Sequence, residues 1–210
     1  MKKKRYLVLG PHTDDGEWGC GASMAKWAEQ GHEVYYAAFS AAEESVPQGM
    51  PTDILRGEIQ AAAKELSLPL ERLKVFQFRV RYFPRDRQEI LEEMIRLRKE
   101  IDPDVVLMPN SFDTHQDHEV INREGFRAFK RATVLGYEIP WNNRHVDLTF
   151  FHGVEEHHLQ CKIRAMQAYK SQMFRAPNYT ELINSLAIQR GYQVGLKYAE
   201  AFEVIRWVEE

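Results

Sequence analysis

The sequence predicts an α/β protein with a Rossmann-like, open and mostly parallel sheet that carries helices on both faces. Apolar runs rich in β-forming residues alternate with stretches of helical period. The run Asp104 to Met108 is almost wholly apolar, as a strand buried on both faces of a parallel sheet should be. The chain has 210 residues, of which 44% are hydrophobic, so it can bury one substantial core. We therefore predict a single domain over residues 1–210.

Three further strands and three helices are predicted in the first half of the chain. Each strand is a short apolar run, and each helix shows apolar residues every three or four positions. Gly31 ends the first helix as a C-terminal cap, and Thr52 or Asp53 caps the second. The predicted strands are Tyr6 to Gly10, Glu33 to Phe39 and Lys74 to Phe78. The predicted helices are Ser23 to Glu29, Ile54 to Leu66 and Asp86 to Ile101.

The second half of the chain has a looser pattern of elements. A long helix from Glu156 to Met173 is predicted because Leu159, Ile163 and Met166 fall on one face. The sequence contains no internal repeat and no clear linker. The other predicted elements are the helices Val120 to Ala132 and Tyr179 to Gln189 and the strands Leu148 to His152 and Phe202 to Val208.

Charge and composition argue against several classes of partner. The net charge of −3 gives no reason to expect nucleic acid or an anionic membrane. No run approaches the roughly twenty apolar residues of a membrane span, and the run after the basic start Lys2 to Arg5 is too short for a signal peptide. Cys20 and Cys161 are isolated, which is typical of reduced thiols, so we expect a cytoplasmic protein. The sequence leaves a homo-oligomer open.

A histidine and two aspartates follow the first predicted strand, in the order His12-Thr13-Asp14-Asp15. In an α/β protein, ligands bind at this edge of the sheet. His12 and Asp15 offer an imidazole and a carboxylate to one cation, which leaves Asp14 to move a proton. The alternative is a loop whose carboxylates only cap the next helix.

A second polar cluster, His115-Gln116-Asp117-His118, follows the fourth predicted strand. In a doubly wound sheet, the loops after the first and fourth strands flank the crevice where the strand order reverses. Capping alone explains poorly why both clusters carry histidines and converge. His12, Asp15 and one histidine of the second cluster make the three-ligand set of a catalytic zinc ion, with one position open for water.

The two clusters resemble the paired motifs of the PIG-L/LmbE-like zinc-dependent N-deacetylases. This group includes N-acetylglucosaminyl-phosphatidylinositol, mycothiol-pathway and bacillithiol-pathway deacetylases. Its first motif, (P/A)HxDDxExGxGG, is similar to Pro11 to Gly21, and its second, HPDH, is similar to His115 to His118. Thr13 and Gln116 stand where proline is usual, which leaves the expected ligands intact. The resemblance implies a metal-dependent N-deacetylase.

The resemblance also implies which residues bind the metal. His12, Asp15 and His118 would bind Zn²⁺, or another divalent transition metal, and Asp14 would be the general base. His115 in place of His118 is the alternative ligand, and geometry must decide between them.

Four further side chains complete the implied site. His115 would stabilise the tetrahedral intermediate as an imidazolium, or protonate the leaving amine, and Asp117 would hold it in place. Arg56 and Tyr179 would contact the substrate. The competing interpretations are a solvated helix arginine and a surface-loop tyrosine.

The implied reaction removes an N-acetyl group from an N-acetylated amino sugar of the GlcNAc type, or its conjugate, and releases acetate. The partner is thus a small-molecule sugar. Segments 79–86 and 135–146 are expected to set specificity, the first through arginines that suit an anionic substrate. Two alternatives stay open: a zinc amidase for a bulkier acyl amide, such as a thiol conjugate, and a noncatalytic Rossmann-like nucleotide-binding module. The second is disfavoured because no GxGxxG motif follows the first strand.

Overall fold

A seven-stranded sheet forms the centre of the protein, which a computed structural model describes for residues 2–175 and 177–209. The strands are β1 (Arg5–Gly10), β2 (Glu33–Ala38), β3 (Leu73–Val75), β4 (Val105–Pro109), β5 (Thr133–Tyr137), β6 (Phe150–Gly153) and β7 (Ala199–Arg206). They lie in the order β3-β2-β1-β4-β5-β7-β6. The first five strands pair in parallel, and β7 runs antiparallel to β5 and β6. This confirms the predicted open, mostly parallel sheet.

Helices cover both faces of the sheet. Within the described ranges they are α1 (Asp15–Glu29), α2 (Ile54–Glu65), α3 (Arg87–Ile101), α4 (Gln116–Ala128), α5 (Glu156–Gln167) and α6 (Tyr179–Gln193). Apolar residues of α1, α2, α5 and α6 form one buried cluster, whereas those of α3 and α4 form another on the opposite face. None of these helices is long and apolar enough to cross a membrane. The predicted Rossmann-like arrangement is therefore confirmed.

The predicted element boundaries are most accurate in the first half of the chain. Strands β1, β2 and β4 begin and end within one residue of the prediction. Strand β5 was not predicted, and the helix before it ends at Ala128 instead of the predicted Ala132. That helix begins at Gln116, because the side chain of His115 caps it by accepting the N–H of Asp117 (3.1 Å). The helix predicted to reach Met173 ends at Gln167.

Helix α1 begins eight residues before the predicted Ser23 and is kinked at Cys20, where φ is −150° and ψ is 23°. The carbonyl of Trp18 accepts a hydrogen bond from Nζ of Lys162 (2.7 Å) instead of one from the helix. Two main-chain amides just after the kink donate to the Glu200 carboxylate (2.7 and 3.2 Å). Lys162 and Glu200 are both buried and pair with each other at 2.7 Å. The pair thus satisfies the backbone groups that the kink releases.

Two glycines in the first turns of α1 allow close packing against tyrosine rings of the sheet. A Cβ atom at Gly16 would lie 2.7 Å from the ring of Tyr36, and one at Gly19 would overlap Tyr137. The hydroxyl of Tyr36 also accepts the N–H of Gly16 (3.0 Å). Any larger side chain at these positions would push the start of α1 away from the sheet, and with it the polar cluster that precedes it.

Candidate active site

The loops after β1 and β4 meet at the carboxyl edge of the sheet, at the point where the strand order reverses. A cavity of about 290 Å³ opens there. This is the position that the sequence predicts for a ligand. Six of the predicted site residues line the cavity: His12, Asp14, Asp15, His115, His118 and Tyr179.

Three of these side chains converge on one point. Oδ2 of Asp15 lies 3.1 Å from Nδ1 of His12 and 3.3 Å from Nε2 of His118. The same oxygen accepts the main-chain N–H of His12 (2.8 Å), which fixes it above the start of α1. Two imidazole nitrogens and a carboxylate oxygen are the donors that a zinc-type cation prefers.

A buried carboxylate lies behind each of the two imidazoles. Nε2 of His12 contacts Oδ2 of Asp117 (3.0 Å), and Nδ1 of His118 contacts Oδ2 of Asp113 (2.8 Å). Because a carboxylate can accept the proton of the outer nitrogen, the inner nitrogen of each ring, which faces Asp15, is the one that can bind a cation. Asp113 is missing from the sequence prediction, although it stands only two residues before His115.

The pKa values of His12, Asp15 and His118 indicate that positive charge is stabilised where the three side chains converge. Burial disfavours a charged His12, but Asp15 and Asp117 outweigh burial and raise its pKa to about 9. Burial likewise opposes a charged His118, but Asp15 and Asp113 raise its pKa to about 10. The pKa of Asp15 is well below its usual value despite burial, because His118 and His12 favour the carboxylate. Protons on the two rings or one shared cation can supply this charge.

His115 lies close to the other two histidines but is bonded differently. By distance alone, His12, His115 and His118 could hold an ion, since one ring nitrogen from each lies within 4.8 Å of the others. However, Nδ1 of His115 accepts the main-chain N–H of Asp117 (3.1 Å), so its proton is on Nε2. Burial and the charges of His118 and His12 lower its pKa to about 4. A neutral His115 is therefore a hydrogen-bond donor.

Asp117 serves a different residue from the one the sequence predicts. Its carboxylate was expected to hold a protonated His115, but it contacts His12, and it is the main-chain N–H of Asp117 that bonds His115. The segment 79–86 supports this arrangement, because the N–H groups of Arg81 (2.6 Å) and Phe83 (3.3 Å) donate to the Asp117 carboxylate. This segment thus contributes to the site through its main chain.

Asp14 stands at the start of α1 and lines the cavity beside Asp15. The preceding carbonyl, that of Thr13, accepts the hydroxyls of Tyr36 (2.7 Å) and Tyr169 (2.6 Å). Both hydroxyls also contact the fully buried Glu17. Burial raises the pKa of Glu17 to about 8. This network fixes the backbone that presents Asp14 to the cavity.

The two predicted substrate contacts have different outcomes. Tyr179, the first residue of α6, is buried and lines the cavity. Arg56 does not reach it: Nε donates to Glu43 (2.9 Å), and the other guanidinium nitrogens donate to carbonyls at the end of β3. Arg79 and Arg85 are also paired with carboxylates, and no arginine side chain that the structure describes lines the cavity. The expected cationic contact to an anionic substrate is therefore wrong for these residues.

Apolar side chains also line the cavity. They are Trp18, Met166, Met173 and, from the predicted specificity segment 135–146, Trp141. A single apolar residue carries no sign in the sequence that it faces a cavity, so of these four side chains only Trp141 lies in a segment that was expected to contact the substrate. A cavity lined by both polar and apolar side chains suits a ligand that has polar and apolar groups.

An open, mostly parallel sheet with carboxylates and histidines at its switch point is typical of an α/β enzyme. Residues 7–129, more than half of the chain, match the protein family described as PIG-L: GlcNAc-PI de-N-acetylase. The chain belongs to this family of deacetylases, which hydrolyse an N-acetyl amide. The resemblance of the two motifs is thereby confirmed.

Individual relatives agree with this assignment. The uncharacterized deacetylase YaiS of Escherichia coli (strain K12) is 29% identical over 179 residues, which cover 81% of this chain and 92% of that protein. The diacetylchitobiose deacetylase of Thermococcus kodakarensis is 22% identical over 226 residues, covering 96% and 83%. The structure of the N,N'-diacetylchitobiose deacetylase from Pyrococcus horikoshii superposes with a TM-score of 0.82 at 19% identity, covering 97% of this chain and 84% of that one. This last similarity concerns the fold.

Proposed function

We propose that this protein hydrolyses the N-acetyl group of a GlcNAc-type amino sugar or its conjugate, releases acetate, and uses one bound zinc ion. The observation that carries the proposal is the convergence of His12, Asp15 and His118, with Asp14 beside them in the cavity. The family and the sugar deacetylases among the relatives support the reaction class and the substrate class.

The donor set fits zinc. Nδ1 of His12, Oδ2 of Asp15 and Nε2 of His118 would bind it, because each imidazole has its outer nitrogen on a carboxylate. Zinc bound there supplies a Lewis acid for the amide carbonyl and makes a water molecule more acidic. Two nitrogen donors and one oxygen donor also suit other divalent transition metals.

Asp14 acts as the general base in this proposal. Its carboxylate takes a proton from the attacking water, whose oxygen bonds to the carbonyl carbon of the amide. When the carbon–nitrogen bond breaks, the proton held by Asp14 goes to the leaving amine. The network around Thr13 holds the backbone that presents Asp14 to the cavity.

His115 assists as a neutral donor. Because its Nδ1 is occupied by a main-chain N–H, its Nε2–H can donate to the oxyanion that forms from the carbonyl oxygen. This assigns the oxyanion role to His115 and the amine proton to Asp14. Tyr179, on the wall of the same cavity, would contact the substrate.

The setting of the reaction is also a proposal. Cys20 and Cys161 are both free thiols, and Cys20 is buried, which suits a reducing compartment such as the cytoplasm. Membership of a deacetylase family sets aside the noncatalytic nucleotide-binding alternative. A bulkier acyl amide stays the competing substrate, and it is distinguished by measuring which acid the enzyme releases.

Acetate release from N-acetylglucosamine and its conjugates, with zinc supplied, tests the proposal. Asp14→Asn should keep its zinc but lose about 10²–10⁴-fold in kcat, because the amide cannot accept the water's proton. Asp53→Asn is the matched control, since Asp53 also precedes a helix without a side-chain capping bond and lies away from the cavity. Near-normal turnover of Asp14→Asn, or release of only larger acids, would overturn the proposal.

A further inference from the structure

Trp141 stands at the rim of the cavity with an unusually open aromatic side chain. It lines the cavity, yet 56% of its surface is exposed. A large apolar ring held in water beside a polar site costs free energy unless a ligand covers it. The established features of the site give this ring no role.

The backbone around Trp141 is fixed by hydrogen bonds to the loop after β4. The carbonyl of Asn142 accepts both the N–H (3.0 Å) and the hydroxyl (2.8 Å) of Thr114. The side chain of Asn143 donates to Asn110 (3.0 Å). The ring is thus carried by the same loop system that presents the histidines, so little ordering is required when a ligand binds.

A second indole supports the ring from the side. Trp18 and Trp141 meet with ring centroids 4.9 Å apart and planes at 87°. In this edge-to-face contact the two rings do not lie flat on each other, so Trp141 keeps surface for another partner. Asn142, the next residue, also lines the cavity and offers an amide that can bond hydroxyl groups.

The size of the cavity indicates where that partner lies. Its volume of about 290 Å³ is near the lower end of the roughly 300–1,000 Å³ typical of ligand pockets, which suits one sugar ring with its acetamido group. A group attached to that ring must extend past the rim, where Trp141 stands. The apolar face of a pyranose ring packs well on an indole, and its hydroxyls suit Asn142.

Building on the proposed function, we propose that Trp141 is a platform for a second sugar ring, so that the preferred substrate is an N-acetylated disaccharide rather than free N-acetylglucosamine. Trp141 then determines specificity through substrate binding and takes no part in the chemical step. The expected signature is a change in KM for substrates with a second ring.

The test compares two substrates, N,N'-diacetylchitobiose and N-acetylglucosamine, in the zinc-loaded enzyme. Trp141→Ala should lower kcat/KM for the disaccharide about three- to tenfold more than it lowers kcat/KM for the monosaccharide, and the difference should lie mainly in KM. Trp141→Phe should restore most of the loss. Trp207→Ala is the matched control, because Trp207 is exposed to a similar extent (58%) and does not line the cavity.

The outcomes separate this proposal from the proposed function. An equal loss for both substrates, or no loss for either, overturns the platform while leaving deacetylation intact. Failure of the wild-type enzyme to release acetate from either sugar overturns the proposed function. Calorimetric titration of zinc-loaded Asp14→Asn with the disaccharide then still tests the platform, which requires weaker binding when Trp141→Ala is added. Equal sensitivity of a phenyl glycoside would assign the ring to an aromatic aglycone and overturn the sugar platform.

Discussion

The histidine cluster at the cavity and a second one at the start of α5 contain similar residues. The first consists of His12, His115 and His118, and the second of His157, His158 and Glu29. In each, one possible ligand atom from every member lies within 4.8 Å of the others. Distance therefore does not distinguish them. The difference lies in the group that hydrogen-bonds the outer nitrogen of each imidazole, the ring nitrogen that points away from the cluster.

In the second cluster, a main-chain N–H contacts the ring of His158, whereas carboxylates contact the outer nitrogens of His12 and His118 in the first. Nδ1 of His158 accepts the N–H of Glu155 (3.0 Å) in a capping box, so its proton is on Nε2 and donates to Glu29 (2.7 Å). A metal on Nε2 would require the proton to move to Nδ1, against the N–H of Glu155. The cluster is thus a helix cap. The partner of the outer nitrogen therefore decides which ring nitrogen of a histidine is available to bind a metal.

His115 lies in the first cluster, but its Nδ1 accepts a main-chain N–H, as that of His158 does in the second. We expect His115→Ala to keep its zinc but lose about 10²–10³-fold in kcat, because it removes the donor to the oxyanion. Metal analysis and acetate release on the same preparation measure both effects. His157→Ala is the control, since His157 is an exposed histidine of the second cluster. Loss of zinc from His115→Ala would make it a ligand and break the comparison.

The next largest effect is expected from removing the carboxylate of Asp113, which contacts His118. Asp113→Asn should weaken zinc binding about 10–100-fold, because the amide no longer fixes the imidazole in its metal-binding tautomer. Competition with a chelator measures the affinity. Glu29→Gln removes the carboxylate of the second cluster and should leave zinc affinity unchanged. Equal affinities in wild type and Asp113→Asn would show that the partner of His118 has no influence.

Much of this arrangement could be predicted from the sequence, and the exceptions have a common cause. The positions of His12, Asp15 and His118 at one sheet edge follow from strand order, which alternating patterns reveal. The hydrogen-bond partner of a side chain does not follow from strand order. Asp117 is next to His118 in sequence, but its carboxylate bonds His12 across the crevice. Strand β5 was likewise not predicted. The apolar pattern of the preceding helix continues to Ala132, four residues beyond the true end of α4 and directly before β5.

The pH dependence of stability tests the influence of a histidine's partner at His152, whose ring nitrogen contacts a hydroxyl instead of a carboxylate. Nδ1 of His152 lies 2.9 Å from Oγ of Ser23, and burial against Trp27 lowers its pKa from 6.5 to about 4. Between these values the unfolded chain binds more protons than the folded one, so stability is lost as pH falls. From about pH 7.5 to about pH 5.5 we expect this residue to remove about 1.3 kcal/mol of unfolding free energy.

Chemical denaturation at the two pH values measures this loss. The variant His152→Asn cannot titrate in this range, and its stability should fall less than that of the wild type by the same amount. An identical pH dependence of both proteins would show that His152 has the same pKa in the folded and the unfolded chain, and would contradict this prediction.

The smallest effect concerns the second cluster itself. His158→Ala removes the acceptor for the Glu155 N–H and should lower the free energy of unfolding by about 1 kcal/mol, as loss of a helix cap does. Zinc content should not change. Thermal unfolding compared with His157→Ala, which leaves the capping box intact, isolates the cap. A smaller loss in His158→Ala than in His157→Ala would contradict this role.

Zinc stoichiometry tests the central claim most directly. Purified protein equilibrated with zinc and freed of excess should contain one zinc ion per chain, and this should be lost in His12→Ala, Asp15→Ala and His118→Ala but kept in His115→Ala and His158→Ala. Two ions per chain, with the second lost in His158→Ala, would contradict the distinction between the two clusters. Full occupancy in His118→Ala would contradict the ligand set itself.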